Sequence, residues 1–244
     1  MYSTVRTPSI TKVEVSSGNG GDVTFKISLT DVSDPGEARA VARRVAVRTA
    51  DVLSVHLGRL VTEPRLVEEA STEVIVDASG ERVVHAKVGV TLLVTNSAQC
   101  VRMLGEASLS ELETALSQVN PPGEPNYVLF RSALAATDPA SKFLALYQIL
   151  DLLINQDKIE VNQDKIDKFI REQDPSVPET KTKPWKNGTF KEETIYTRLR
   201  NEYMHNRSDV TLVATRAEME ANLNGLISLV QTAIKRIPGC VTSE

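Results

Sequence analysis

Three prolines and a glycine fall within seven residues at Asn120-Pro121-Pro122-Gly123-Glu124-Pro125-Asn126. Proline lacks the amide hydrogen that both helix and sheet ladders use, and its ring disfavours helical geometry in the residue before it. Neither element continues through such a run, so it divides the chain. Residues 1–120 are expected to form one domain, 121–126 a linker and 127–244 a second domain. With 244 residues, 41% of them hydrophobic, each half is long enough to bury a core of its own.

Ahead of the break the apolar pattern has mostly the period of two that marks strands. Lys12-Val13-Glu14-Val15 and Val23-Thr24-Phe25-Lys26-Ile27-Ser28-Leu29 alternate around the loop Ser17-Gly18-Asn19-Gly20-Gly21-Asp22. That loop is glycine-rich, but it joins strand to strand and no Lys-Ser/Thr follows, so a hairpin tip fits and a phosphate cradle does not. Asp34-Pro35-Gly36-Glu37 then opens a helix that Gly58 closes, with Val41, Val45, Val52, Val55 and intervening alanines as its apolar stripe. Arg39, Arg43, Arg44 and Arg48 crowd one side of it and read as a solvated face. A second hairpin joins Thr72–Val76 to Val83–Thr95, and Ser110-Glu111-Leu112-Glu113 caps a short helix to Val119. The first half is therefore a small α+β unit of two hairpins and two helices.

Beyond the break the period becomes helical. A helix from Tyr127 to Ala136 precedes a longer one that Asp138-Pro139 caps, with Phe143, Leu146, Tyr147, Leu150, Leu153 and Ile154 as its stripe. Asn155-Gln156-Asp157-Lys158-Ile159 recurs as Asn162-Gln163-Asp164-Lys165-Ile166. That offset of seven puts both isoleucines on one stripe and suggests a duplication lengthening a helix hairpin. The stretch from Glu172 to Thr189 is rich in Pro, Lys and Thr and reads as a long loop. Helices from Glu192 to Asn206 and from Thr215 to Ile237 complete an all-α bundle, the last with Met219, Leu223, Leu226, Ile227, Val230 and Ile234 inside. The fold class is thus α+β: a small α+β domain followed by a helical bundle.

Chemistry concentrates in Tyr196-Thr197-Arg198-Leu199-Arg200-Asn201-Glu202-Tyr203-Met204-His205-Asn206-Arg207. Asn201 and His205 lie four apart and share a helix face, whereas Arg200 stands about 140° round from His205. The two heads meet only if Arg200 bends its side chain round the helix or the helix loosens near Asn206. From Lys181 to Arg207 there are seven basic residues against three glutamates, inside a chain of net charge −4. That window is a positive patch where an RNA backbone would need one, and a solvated lysine-rich loop explains it equally well. An arginine, asparagine and histidine on one helix can also serve a buried polar network or an ion pair with Asp151.

Other classes are disfavoured. Cys100 and Cys240 have no metal-type spacing and read as free thiols, His85 has no ligand partners nearby, and neither a metal nor a cofactor is expected. No apolar run approaches 18 residues and Met1 to Pro8 holds no apolar core, so neither a membrane partner nor export is expected, and a cytoplasmic location is.

The Arg200-Asn201-x3-His205 pattern on a late helix, with the early helix Asp138 to Asp151, resembles the HEPN superfamily, including bacterial members of the abortive-infection and methylamine-utilisation J type. The resemblance covers Tyr127 to Ile237 and not the first half. It implies a HEPN-like helical bundle, a homodimer through that bundle, and metal-independent endoribonuclease activity in RNA processing or antiviral defence, as in toxin–antitoxin systems. In that picture His205 handles protons, Arg200 stabilises phosphate charge and Asn201 orients the phosphate. Lys183, Lys186, Lys191, Arg198 and Arg207 are expected to contact RNA or nucleotide. The alternative is a non-catalytic HEPN module that binds nucleotide, RNA or a protein. Where some HEPN toxins carry a tyrosine two residues after the histidine, this chain has Arg207, so control through that position is not expected.

Overall fold

The structure is a computed structural model and describes residues 9–17, 23–32, 35–72, 75–76, 82–83, 86–94, 124–155, 162–181, 192–205 and 211–236. The chain separates into two compact units, Met1–Ser117 and Gln118–Glu244. It is α+β, with strands and one described helix in the first unit and a mainly helical second unit.

In the first unit β1 (Ser9–Ser17) and β2 (Val23–Val32) form an antiparallel hairpin, α1 spans Pro35–Leu57, and β3 (Arg65–Thr72) follows. The short β4 (Ile75–Val76) and β5 (Arg82–Val83) pair with each other ahead of β6 (Ala86–Val94). The main sheet has the order β1-β2-β6-β3, so the central β2·β6 pair joins the two hairpins. The second hairpin is longer than expected, because β3 starts at Arg65 and not Thr72. Its pairing from Arg65↔Leu93 to Thr72↔Lys87 supplies hydrogen bonds that Glu68 and Glu69 do not advertise locally.

Helix α1 lies against β2 and β6. Its innermost stripe is alanine, with Ala38, Ala42, Ala46 and Ala50 all fully buried, while Val41 and Val45 are only partly covered. Small side chains let helix and sheet approach closely, so the expected stripe is buried at its alanines and at Val52 and Val55 but only partly covered at Val41 and Val45. Val52, Val55 and Leu53 close the inner end. Gly58 follows at φ 61, the left-handed geometry that suits a glycine past a helix end. The expected helix at 110–119 lies outside the described residues, as do His85 and both cysteines.

In the second unit α2 spans Glu124–Ala135, starting within the stretch expected to be linker. Pro125 sits in the first turn, where its missing amide hydrogen costs no helical bond, so the break in pattern lies ahead of Glu124. Next, α3 (Pro139–Ile154) begins at an Asp138 cap whose carboxylate accepts from the Ser141 amide at 2.9 Å. Packed against α2, α4, α5 and α6, α3 is the central helix of the unit. Phe143, Leu146 and Leu150 are fully buried, as expected, and Ala140 and Ile149 join them.

Of the heptad repeat, residues 156–161 lie outside the described ones, while Asn155 and the second copy from Asn162 to Ile166 are described. Asn155 ends α3, its amide hydrogen bonding Asp151, and Asn162 caps α4 (Gln163–Gln173) by accepting from Lys165. The two repeated asparagines therefore stand at opposite helix ends, Asn155 bonding through its backbone amide and Asn162 through its side chain. The Glu172–Thr189 stretch is not all loop either. Strand β7 (Glu179–Lys181) pairs antiparallel with β8 (Glu192–Thr194), and α5 (Ile195–His205) starts only after that ribbon. Finally α6 spans Leu212–Arg236, three residues longer at its start than expected. Met219, Leu226, Leu229 and Val230 are buried on it, whereas Leu223 and Ile227 are partly covered.

Candidate functional site

The inner face of α5 is polar where a simple bundle would be apolar. Thr197, Asn201 and Glu202 are buried there beside Tyr196 and Leu199. Buried polar groups persist only when they are paired, so each contact matters to the fold.

Asn201, 5% exposed, is enclosed by four hydrogen bonds. Its oxygen accepts from Gln163 Nε2 at 2.9 Å and from Arg200 Nη1 at 2.9 Å; its nitrogen donates to Gln163 Oε1 and to Glu193 Oε1, each at 3.3 Å. A carboxamide has two acceptor positions and two donors, so Asn201 is saturated. It has no capacity left to bind a phosphate, and the expected phosphate-orienting role gives way to a positioning role.

Arg200 does bend. Helix α5 runs regularly through His205, and the half-buried Arg200 turns its guanidinium back to Asn201, on the helix face that His205 shares. Arg200 makes no ion pair with a described carboxylate, and Asp151, a potential partner, instead accepts from Asn155 Nδ2 at 2.5 Å. His205 is exposed in the last turn. Arg200 and Asn201 are thus joined, and His205 stands one turn beyond them with no hydrogen bond to a described residue.

Arg198 differs from Arg200 despite lying two residues away. Its Nη1 reaches both carboxylate oxygens of Glu202 at 3.0 Å, and its Nη2 reaches Glu218 on α6. Burial works against its charge, but the hydrogen bonds it donates to Glu218 and Glu202 outweigh that and hold the guanidinium above its ordinary value. Arg198 is thereby a helix-to-helix tie and not the exposed RNA contact expected, because two carboxylates already neutralise it. Lys183, Lys186, Lys191 and Arg207 lie outside the described residues.

Beneath Arg200 runs a relay with no counterpart in the sequence reading. Asp167, 1% exposed, accepts through Oδ1 from the Thr194 and Thr197 hydroxyls at 2.6 Å each, and from the Thr194 amide at 3.3 Å. Tyr147 and Thr197 oxygens lie 2.8 Å apart. With the Thr197 hydrogen directed at Asp167, Tyr147 is the donor in that pair. Burial pushes the Tyr147 phenol well up, helped by Asp167 and Asp151 and opposed by the Thr197 hydrogen bond and the Arg200 charge, so the proton stays on. Asp167 Oδ2 finds no hydrogen-bond partner among the described residues. In sequence, Gln163 and Asp167 look like the solvated side of a charged helix; their spacing of four, which puts both on one face, was the only signal available.

No described group of three or more His, Cys, Asp or Glu side chains is placed to hold a metal ion, and no described helix is long and apolar enough to cross a membrane. An uncharged groove between α2 and α3, lined by Leu129, Ala133, Ala145 and Leu152 among others, takes a different face of α3 from Tyr147. No curated protein and no solved structure matches the chain at a significant level. Residues 127–237, which span α2 to α6 and hold the Arg200–Asn201–His205 segment with its supporting network, are similar to the family described as methylamine utilization protein MauJ.

Proposed function

We propose that the helical unit is a HEPN-like module that cleaves RNA internally without a metal ion, in bacterial RNA processing or defence. The 2′-oxygen attacks the adjacent phosphorus, the bond to the 5′-oxygen breaks, and a cyclic phosphate and a 5′-hydroxyl result. His205 moves the proton of the attacking or the leaving oxygen, work suited to imidazole near neutral pH. Arg200 takes the charge that grows on the phosphorus oxygens. Asn201 holds Arg200, and self-association through the helical unit belongs to the same proposal.

The observation that carries this reading is the turn of Arg200 onto Asn201, which brings its charge to the helix face of His205 while leaving it without a carboxylate partner among the described residues. The test is RNA cleavage by the purified chain in EDTA, with His205→Ala and Arg200→Ala alongside. Cleavage that survives EDTA and is lost in both variants is expected. No cleavage over varied RNAs, with all three proteins folded, overturns it.

A second reading, a non-catalytic module that binds RNA, nucleotide or a protein, is favoured by Arg198, whose engagement with Glu202 and Glu218 removes one of the expected phosphate contacts.

A further inference from the structure

Arg198 and Arg200 present one question with two answers. Both are arginines of α5 near acidic side chains, yet among the described residues Arg198 is paired directly with carboxylates and Arg200 is not. What stands between Arg200 and a carboxylate is Asn201. The carboxylate of Glu193 can only accept, so the Asn201 nitrogen faces it; the guanidinium of Arg200 can only donate, so the Asn201 oxygen faces that. Gln163 then reads both edges of the same amide and fixes that orientation from α4. Glu193 is 5% exposed and makes a further contact besides Asn201, and a direct pair with Arg200 would add to that contact.

We propose that Asn201 is a spacer: it occupies both Glu193 and Arg200 so that the two do not pair, and thereby keeps the Arg200 guanidinium available to an anion. This rests on the reading that Arg200 meets phosphate, but it is a statement about Arg200 itself and is measurable without RNA. Asn201 is then a positioning residue, and Glu193 is the group it holds off.

The test is phenylglyoxal labelling of the whole chain, with the extent at Arg200 and at Arg198 read separately by peptide mass spectrometry. In the native chain Arg200 labels faster than Arg198. In Asn201→Ala, Glu193 closes on Arg200 and labelling there slows by about fivefold, the effect a partly exposed ion pair supports. In Asn201→Ala with Glu193→Gln the rate at Arg200 recovers, which a purely structural role for Asn201 would not produce. If Asn201→Ala melts below the labelling temperature, Asn201→Ser is read by the same criteria. Equal Arg200 rates in native and variant chains, or no recovery in the double variant, overturn the spacer. Because the labelling needs no RNA, a chain that passes this test and cleaves nothing refutes only the ribonuclease reading, and one that fails it while cleaving refutes only the spacer.

Discussion

Thr197 on α5 gives its hydroxyl hydrogen to Asp167 on α4 across 2.6 Å, and the same carboxylate oxygen takes the hydroxyl of Thr194 at the end of β8. One buried oxygen therefore joins the helix, the ribbon and the helix that carries the candidate site. Asp167→Ala leaves two hydroxyls and an amide hydrogen without their acceptor. The expected loss is about 3 kcal/mol, since each unsatisfied buried group costs on the order of 1–3 kcal/mol and the site relaxes in part. Thr197→Val, which breaks the link to Tyr147 as well, is expected to cost about 1–2 kcal/mol. Urea melts of the two variants provide the check, and an Asp167→Ala chain as stable as the native one would rule out the tie.

The two arginines of α5 should separate stability from function. Arg198→Ala strands Glu202, which is 7% exposed, without its countercharge. Losing one partner of a buried pair costs about 3–5 kcal/mol, discounted here toward about 2–3 kcal/mol because Glu218 is half in solvent. Arg200→Ala removes a single described hydrogen bond and is expected to cost under about 1 kcal/mol. Thermal melts should rank Arg198→Ala well below Arg200→Ala, with the reverse ranking for loss of RNA cleavage per folded molecule.

Gly225 lies in the interior of α6, where alanine would ordinarily stabilise a helix by about 1 kcal/mol. Here a Cβ would run into the hydroxyl of Tyr196, which stacks on Phe143 with ring centres 6.3 Å apart. Gly225→Ala is therefore expected to destabilise, by about 1–3 kcal/mol for an overpacked contact. Tyr196→Phe removes the clashing oxygen, so the double variant should regain part of the loss. A double-mutant cycle from thermal melts measures that coupling, and a stabilising Gly225→Ala would contradict the contact.

Asp138 gives the helical unit one acid-sensitive contact. The Ser141 hydroxyl and amide, and then Arg216, hold its carboxyl below the ordinary carboxylate value. A group whose folded value is depressed contributes stability that is present above its unfolded value and is lost as pH falls through the folded one. Native and Asp138→Ala chains should therefore differ in urea midpoint at neutral pH and converge in strong acid. A gap that persists unchanged into acid would assign the difference to helix propensity and not to charge.

Much of the fold was legible because its signals are local. The Asp138 cap, the Gly58 stop and the apolar face of α3 each act within one or two helical turns, so neighbouring residues state them. Strand β3 and the β7–β8 ribbon were missed because strand pairing is settled by a distant partner: Glu68 belongs to a strand through its place opposite Thr91, and Thr180 through Glu193.

The candidate site divides along the same line. From sequence alone, the helix of Arg200, Asn201 and His205 follows, as does the need for Arg200 to bend. Which arginine is tied to carboxylates does not, since Glu218 is 20 residues from Arg198 and nothing in their spacing announces the contact. Nor does the saturation of Asn201, whose Gln163 partner lies 38 residues back, nor the relay into Asp167, 30 residues from Thr197. Propensity and capping are written over a few residues, whereas charge neutralisation and hydrogen-bond capacity are consumed by whichever groups the packed helices bring into contact. Tertiary structure alone decided which of these polar side chains remain available for chemistry.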